Sequence, residues 1–99
     1  MRPIVLVRLD KTRPALILTR SVALDHLSKV TIAPITSTVR GLSTEVSLDS
    51  ANGLDHPCVA SCDNLTTVPT SAIVRQIGLL LDSQEADLTR AIACAFNLD

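Results

Sequence analysis

The chain has almost no aromatic side chains: Phe96 stands alone among 99 residues, with no Trp and no Tyr. That excludes a single-strand binder that stacks bases on Phe or Tyr platforms. Glycine is also scarce, at three residues. Neither a Walker loop nor a Gly-x-Gly-x-x-Gly turn is present, and there is no Gly-x-Ser-x-Gly nucleophile elbow. No apolar stretch approaches the ~18–20 residues of a membrane span, and the first residues do not read as a secretory signal. A formal net charge of −1 excludes a uniformly basic coat for nucleic acid. Three cysteines, Cys58, Cys62 and Cys94, are an odd number for a disulfide framework and read as reduced cytosolic thiols.

What is present is a chain 46% apolar and 19% charged, a composition that buries a core. Its length predicts one domain over residues 1–99, with a core thin enough that a second copy or a partner helps to stabilise it. The charge is uneven. Residues 1–40 carry seven basic and two acidic side chains, a formal +5; residues 41–99 carry two and eight, a formal −6. The first part therefore offers a cationic surface to a phosphate chain or an acidic peptide.

Short β-rich runs recur along the chain at 4–9, 15–19, 29–35, 44–48, 58–62, 66–68 and 75–80, separated by turn signals such as Asp10-Lys11-Thr12, Arg40-Gly41 and Asn52-Gly53. Ser21 reads as the cap of a helical turn over 21–27, and Pro69-Thr70-Ser71 opens another through Val74. Asp82 and Glu85 have capping-box spacing. Behind them Leu88, Ala91, Ile92, Ala95 and Phe96 repeat at helical spacing, predicting a C-terminal helix whose sheet-facing side carries the sole aromatic. The expected fold is mainly β: about seven short, mostly antiparallel strands forming a small barrel closed by that helix.

His56, Cys58 and Cys62 fall on one face of their expected strand, but Cys58 and Cys62 would lie ~13 Å apart along it, too far for one zinc ion. Buried, inert packing is the better reading of these thiols; no metal or cofactor is expected. His26 and His56 read as surface or turn residues. Two polar clusters remain, Lys11-Thr12-Arg13 before one apolar run and Thr36-Ser37-Thr38-Val39-Arg40 after another. An arginine beside hydroxyls at strand ends suits a phosphate, because the guanidinium binds its oxygens bidentately and keeps its charge.

Five blocks, in order, resemble the MazF/PemK family of toxin endoribonucleases. They are Thr12-Arg13-Pro14-Ala15-Leu16-Ile17, Ile32-Ala33-Pro34-Ile35-Thr36-Ser37-Thr38, Asn52-Gly53-Leu54-Asp55, Cys62-Asp63-Asn64-Leu65-Thr66-Thr67-Val68 and Arg75-Gln76-Ile77-Gly78-Leu79-Leu80. The direct start on a short first strand resembles the mycobacterial-type members. The resemblance implies an SH3-like barrel that dimerises and acts in the cytoplasm. It implies metal-independent cleavage of single-stranded RNA (mRNA, rRNA or tRNA) and inhibition by a MazE-like antitoxin. Arg13 and Thr36 match the family's catalytic arginine and threonine. Lys11, Thr12, Ser37, Thr38, Arg40, Asp63, Asn64 and Thr67 are the expected RNA-binding residues. The loop before Arg13 is shorter than the family's, and Asn64 stands where many members have Gln. The same barrel also carries CcdB-like gyrase inhibitors and plain interaction modules, which are the alternatives to a nuclease.

Overall fold

The computed structural model describes residues 2–99, with nothing said of the Ser21 and Val22 side chains. The expected cap shifts by one residue: Ser21 is the first residue of the helix and Arg20 takes the cap position. Among the described residues seven strands form: β1 (Pro3–Arg8), β2 (Thr12–Ile17), β3 (Lys29–Thr36), β4 (Glu45–Leu48), β5 (Cys58–Ser61), β6 (Thr66–Pro69) and β7 (Ile73–Leu79). Two α-helices accompany them, the short α1 (Ser21–Leu24) and the C-terminal α2 (Glu85–Ala95). Among the described residues no helix is long and apolar enough to cross a membrane.

All pairings are antiparallel, in the order β4-β5-β3-β2-β1-β7 with β6 also on β3. β3 organises the sheet. Its first half, residues 29–32, pairs with β6, and its end, Ile35 and Thr36, pairs with β5. Passing from one neighbour to the other curls the sheet, as in a barrel, yet the outer strands β4 and β7 do not pair with each other. The mainly-β architecture with a terminal helix is therefore the expected one, with a gap in the hydrogen bonding round it.

Alternation along the strands explains the near-continuous apolar runs. Val5, Val7, Ala15, Ile17, Val30 and Ile32 enter one core cluster with Val68. Their neighbours Ile4, Leu16, Ala33 and Ile35 point to the opposite face. That second cluster also takes Val46, Leu48, Cys58, Ala60, Cys62 and the helix residues Leu88 and Ala91. A sheet covered on both faces needs apolar residues at successive positions.

Several local expectations change. The turn after β6 is a single 3₁₀ turn over Thr70–Ala72, so β7 starts at Ile73. Cys62 has left the strand for a 3₁₀ turn, Cys62–Asn64, though it stays buried beside Cys58 in the core. Asp82 and Glu85 form no capping box. Residues Asp82–Gln84 make a 3₁₀ turn, and the Gln84 side chain accepts the Leu81 amide at 2.9 Å. Glu85 is engaged elsewhere, by the Arg2 guanidinium at 3.1 Å, which joins the basic and acidic parts of the chain. Phe96 does not pack on the sheet; it is 56% exposed. The helix ends before it because Asn97 takes a left-handed conformation, φ 56°. The amides of Asn97 and Leu98 then bond back to the carbonyls of Cys94 and Ala93, the Schellman arrangement that terminates a helix.

The link between the turn after β4 and strand β7 is unusually close. A Cβ on Gly78 would stand 1.7 Å from the Asn52 carbonyl oxygen, and one on Gly53 would stand 2.3 Å from that of Ile77. Gly53 also has φ 88°, a region that glycine enters without penalty. Asn52, 1% exposed, fastens the contact. Its amide nitrogen donates to the Leu79 carbonyl at 2.9 Å and to Gln84 Oε1 at 2.6 Å. Its carbonyl oxygen accepts from the Asp49 amide at 3.1 Å and from Gln84 Nε2 at 3.3 Å.

Gly78→Ala is expected to cost at least ~3 kcal/mol, because backbone must move to admit the methyl. Gly41→Ala, with nothing within 4 Å but φ 74°, should cost only about 1–2 kcal/mol. Denaturant titration of the two variants checks the difference. Asn52→Ala strands a buried amide and carbonyl and should cost about 2–4 kcal/mol, read in the same titration.

Candidate functional site

Arg13 and Thr36 come from β2 and β3, which pair through Ala15 with Pro34, Leu16 with Ala33 and Ile17 with Ile32. Continuing that register past Ala15 and Pro34 brings the start of β2 beside the end of β3. Both side chains are half-buried in their surroundings. Together with Ile35 they form the wall shared by two clefts of about 620 and 560 Å³.

The Arg13 side chain is held by Asp10 across the tight β1–β2 connection. Nε donates to Oδ1 and Nη2 to Oδ2, each at 3.0 Å. These bonds, with the Lys11 backbone amide, hold the Asp10 carboxyl well below its usual range; the same pairing pushes the Arg13 guanidinium up. Asp10 is therefore ionised near neutral pH. Nη1 and one Nη2 hydrogen remain for another acceptor, since the guanidinium has five N–H donors. Thr36 has a complementary arrangement: its Oγ1 accepts the Thr38 amide at 3.1 Å, so its own proton is available to a ligand.

The first cleft adds Ser37 from the segment after β3, Asp55, His56 and Cys58 from the approach to β5, and Arg75, Gln76 and Ile77 from β7. Nδ1 of His56 meets the Asp55 carboxylate. Burial pushes the Cys58 thiol up, with Asp55 and Asp49 adding to the effect; the Cys62 thiol is raised in the same way, by burial and Asp63. Both are protonated thiols of the core, not nucleophiles.

The second cleft adds Thr38, Arg40, Leu42, Glu45, Ser61, Asp63 and Asn64. Its polar groups are tied down. Glu45 accepts the amides of Arg40 and Leu42 at 3.3 and 3.0 Å. Thr44 donates to Asp63 at 2.6 Å, and Asn64 donates to Ser61 at 2.8 Å. Such support holds the loop side chains in place before anything binds.

Of the residues picked out in the sequence, Arg13, Thr36, Ser37, Thr38, Arg40, Asp63 and Asn64 thus converge on the two clefts. Lys11 and Thr12, both exposed, line neither and stand at the hairpin beside Arg13. Thr67 is removed from both: it pairs with Thr31 in the register of β6 with β3, and the two hydroxyls meet at 3.3 Å. Asp55, His56, Arg75, Gln76, Glu45 and Ser61 were not singled out by sequence for binding. The Gly-Leu and Arg-Gln-Ile-Gly blocks around the first four were visible, but not that two glycines bring them together. Among the described residues no group of three or more His, Cys, Asp or Glu side chains is arranged to hold a metal ion.

Comparison with known proteins places the chain in a family. The endoribonuclease MazF3 of Mycobacterium tuberculosis is 60% identical over 99 residues, spanning 100% of this chain and 96% of that protein. The solved structure of the Mycobacterium tuberculosis toxin MazF-mt6 superposes with a TM-score of 0.97 at 59% identity, covering 99% of each chain. An endoribonuclease from a mycobacterial species, solved in complex with its cognate antitoxin, shares the fold with a TM-score of 0.87 at 21% identity, covering 98% of this chain and 93% of its own. The family model for PemK-like, MazF-like toxins of type II toxin–antitoxin systems matches residues 3–96, and the protein belongs to that family.

Proposed function

We propose that the protein is an endoribonuclease toxin that cuts single-stranded RNA in the cytoplasm within a short preferred sequence, and so arrests translation and growth. The observation that carries this reading is the position of Arg13 and Thr36 on one wall between two clefts. A nucleotide on each side of that wall places the connecting phosphate on the guanidinium and the hydroxyl.

The chemistry is a transesterification. The ribose 2′-OH attacks the adjacent phosphorus, the 5′ oxygen leaves, and the ends are a 2′,3′-cyclic phosphate and a 5′-OH. Negative charge gathers on the non-bridging oxygens as the phosphorane forms, and preoriented donors aimed there lower the barrier. Arg13 supplies the free N–H groups that Asp10 leaves. Asp10 also fixes the direction of the fork, so little reorganisation is needed at the moment of reaction. Thr36 donates its hydroxyl proton to a non-bridging oxygen. The substrate supplies the nucleophile, so DNA is not cut.

With no aromatic in either cleft, bases are read by hydrogen bonds. Ser37, Thr38, Arg40, Asp63 and Asn64 carry donors and acceptors for base edges, while Lys11 and Thr12 at the hairpin meet the flanking backbone. Thr67, exposed on β6 outside both clefts, reaches only RNA that extends beyond them. The cognate antitoxin is MazE-like, with an acidic and partly disordered tail that covers the clefts and excludes RNA. As in the family, the toxin is a homodimer.

In buffer containing EDTA, the purified protein should cut single-stranded RNA to cyclic-phosphate and 5′-OH ends, mapped by sequencing. Arg13→Ala should lower the rate by about 10²–10³-fold, and Thr36→Ala by about 10–100-fold, the worth of one hydrogen bond to a charged group. Intact RNA together with inhibited DNA supercoiling by gyrase would overturn the reading. Affinity for an acidic antitoxin peptide should weaken as salt rises from low to physiological strength, because exposed charge pairs are screened; isothermal titration at two salt concentrations measures it.

A further inference from the structure

We propose that His56 is the general base of the cleavage reaction and that Asp55 positions it. The inference rests on the endoribonuclease reading, and it fills the gap which that reading leaves. The 2′-OH must lose its proton as it attacks. Arg13 and Thr36 do not accept one near neutral pH: a guanidinium stays charged and a threonine hydroxyl is a very weak base.

The groups facing the first cleft limit the choice. Arg13 and Arg75 are cations. Cys58 keeps its proton, because burial and two carboxylates push its thiol up. Asp10, beside the cleft on Arg13, is held strongly acidic by that pairing and is a poor base. His26 is exposed just after α1 and lines neither cleft. Asp55, on the same cleft, is engaged by the His56 ring. In the second cleft, which shares Arg13 and Thr36, Glu45 accepts the amides of Arg40 and Leu42 and Asp63 accepts the Thr44 hydroxyl. That leaves the imidazole of His56, on the same cleft as Arg13 and Thr36.

Its hydrogen bonding suits the role. A carboxylate accepts and does not donate, so the contact between Asp55 and Nδ1 places the proton of the neutral ring on Nδ1. Nε2 then carries a free lone pair. The His56 side chain is 56% exposed, which leaves room for a ribose to approach. Its position is set from behind. The approach of Gly53 to Gly78 presses the turn before β5 against β7, and residues 55 and 56, just beyond it, line the cleft with Arg13 and Thr36.

In the step, Nε2 takes the 2′ proton as the 2′-oxygen–phosphorus bond forms. The phosphorus–5′-oxygen bond breaks, its electron pair stays on the 5′ oxygen, and that oxygen takes a proton from water in the cleft. The hydroxide left behind is neutralised by the proton that the imidazolium returns to solvent. The site then stands as it began.

The test is single-turnover cleavage by the full chain of an oligoribonucleotide carrying the mapped site, from pH 5 to 9. A base must be unprotonated to act, so the wild-type rate should climb with pH and then level off. His56→Gln should lose that rise and fall by about 10²–10⁴-fold. It should still bind a 2′-O-methyl form of the oligonucleotide within about threefold, and melt as the wild type does. Added imidazole should restore part of the rate to His56→Ala. Asp55→Ala should keep the rise with pH but run about tenfold slower, since it loses orientation and not the base. A His56→Gln variant with an unchanged profile and a rate near wild type overturns the assignment. So does a His56→Gln variant restored by a 5′-thio leaving group, which needs no proton, since that would place His56 on the departing oxygen. A wild-type protein that leaves RNA intact overturns the endoribonuclease reading, and this inference with it.

Discussion

The backbones at Gly53 and Gly78 approach until neither position has room for a Cβ, and the first cleft depends on that approach. Besides the Arg13–Thr36 wall, the cleft is lined by the turn leading into β5 and by β7. Nothing in the strand order brings them together, because β5 pairs with β3 and β4 while β7 pairs with β1. The gap between the unpaired ends of the curled sheet is crossed here by close packing, with the buried Asn52 amide and Gln84 as fasteners. The same Gln84 accepts the amide that opens the turn into α2. One polar cluster thus seats the terminal helix and braces the cleft. Buried polar groups are tolerable only when their hydrogen bonds are complete, and every bond of the Asn52 side chain is made.

The wall formed by Arg13 and Thr36 rests on a different support. Arg13 and Thr36 lie on adjacent central strands, which pack residues into both core clusters. Their backbones are rigid for the same reason that the strands read as continuous apolar runs. Their side chains emerge at the strand ends, where alternation stops serving the core. Asp10 holds one and the Thr38 amide holds the other. A site on rigid strands with pre-bonded side chains pays its ordering entropy on folding, not on binding.

Charge also reads differently in space. Two cations of the basic part are paired with carboxylates. Arg2 is paired with Glu85 of α2, and Arg13 with Asp10. The cations facing the clefts are Arg13, Arg40 and Arg75, two from the basic part and one from the acidic part. The local field at a site is set by which side chains converge there and not by their order in the chain.

By itself the sequence determined the strands and the terminal helix, and it picked out Arg13 and Thr36, which the fold places on the wall shared by the two clefts. Period-2 alternation and turn residues are local signals, and Arg13 and Thr36 each sit in a short recognisable block. Helix ends and caps were less legible. Asp82 and Glu85 had the spacing of a capping box, but a long-range pairing with Arg2 claimed Glu85, and Gln84 took over the turn. Phe96 fitted the helical repeat, yet Asn97 ended the helix before it. Only the tertiary structure decided the clefts. His56 and Arg75 are distant in sequence and have no pattern in common; they share a wall because two glycines between distant strands let the backbone close in. A missing side chain carries no periodicity, so that contact left in the sequence only two glycines whose purpose the fold alone reveals.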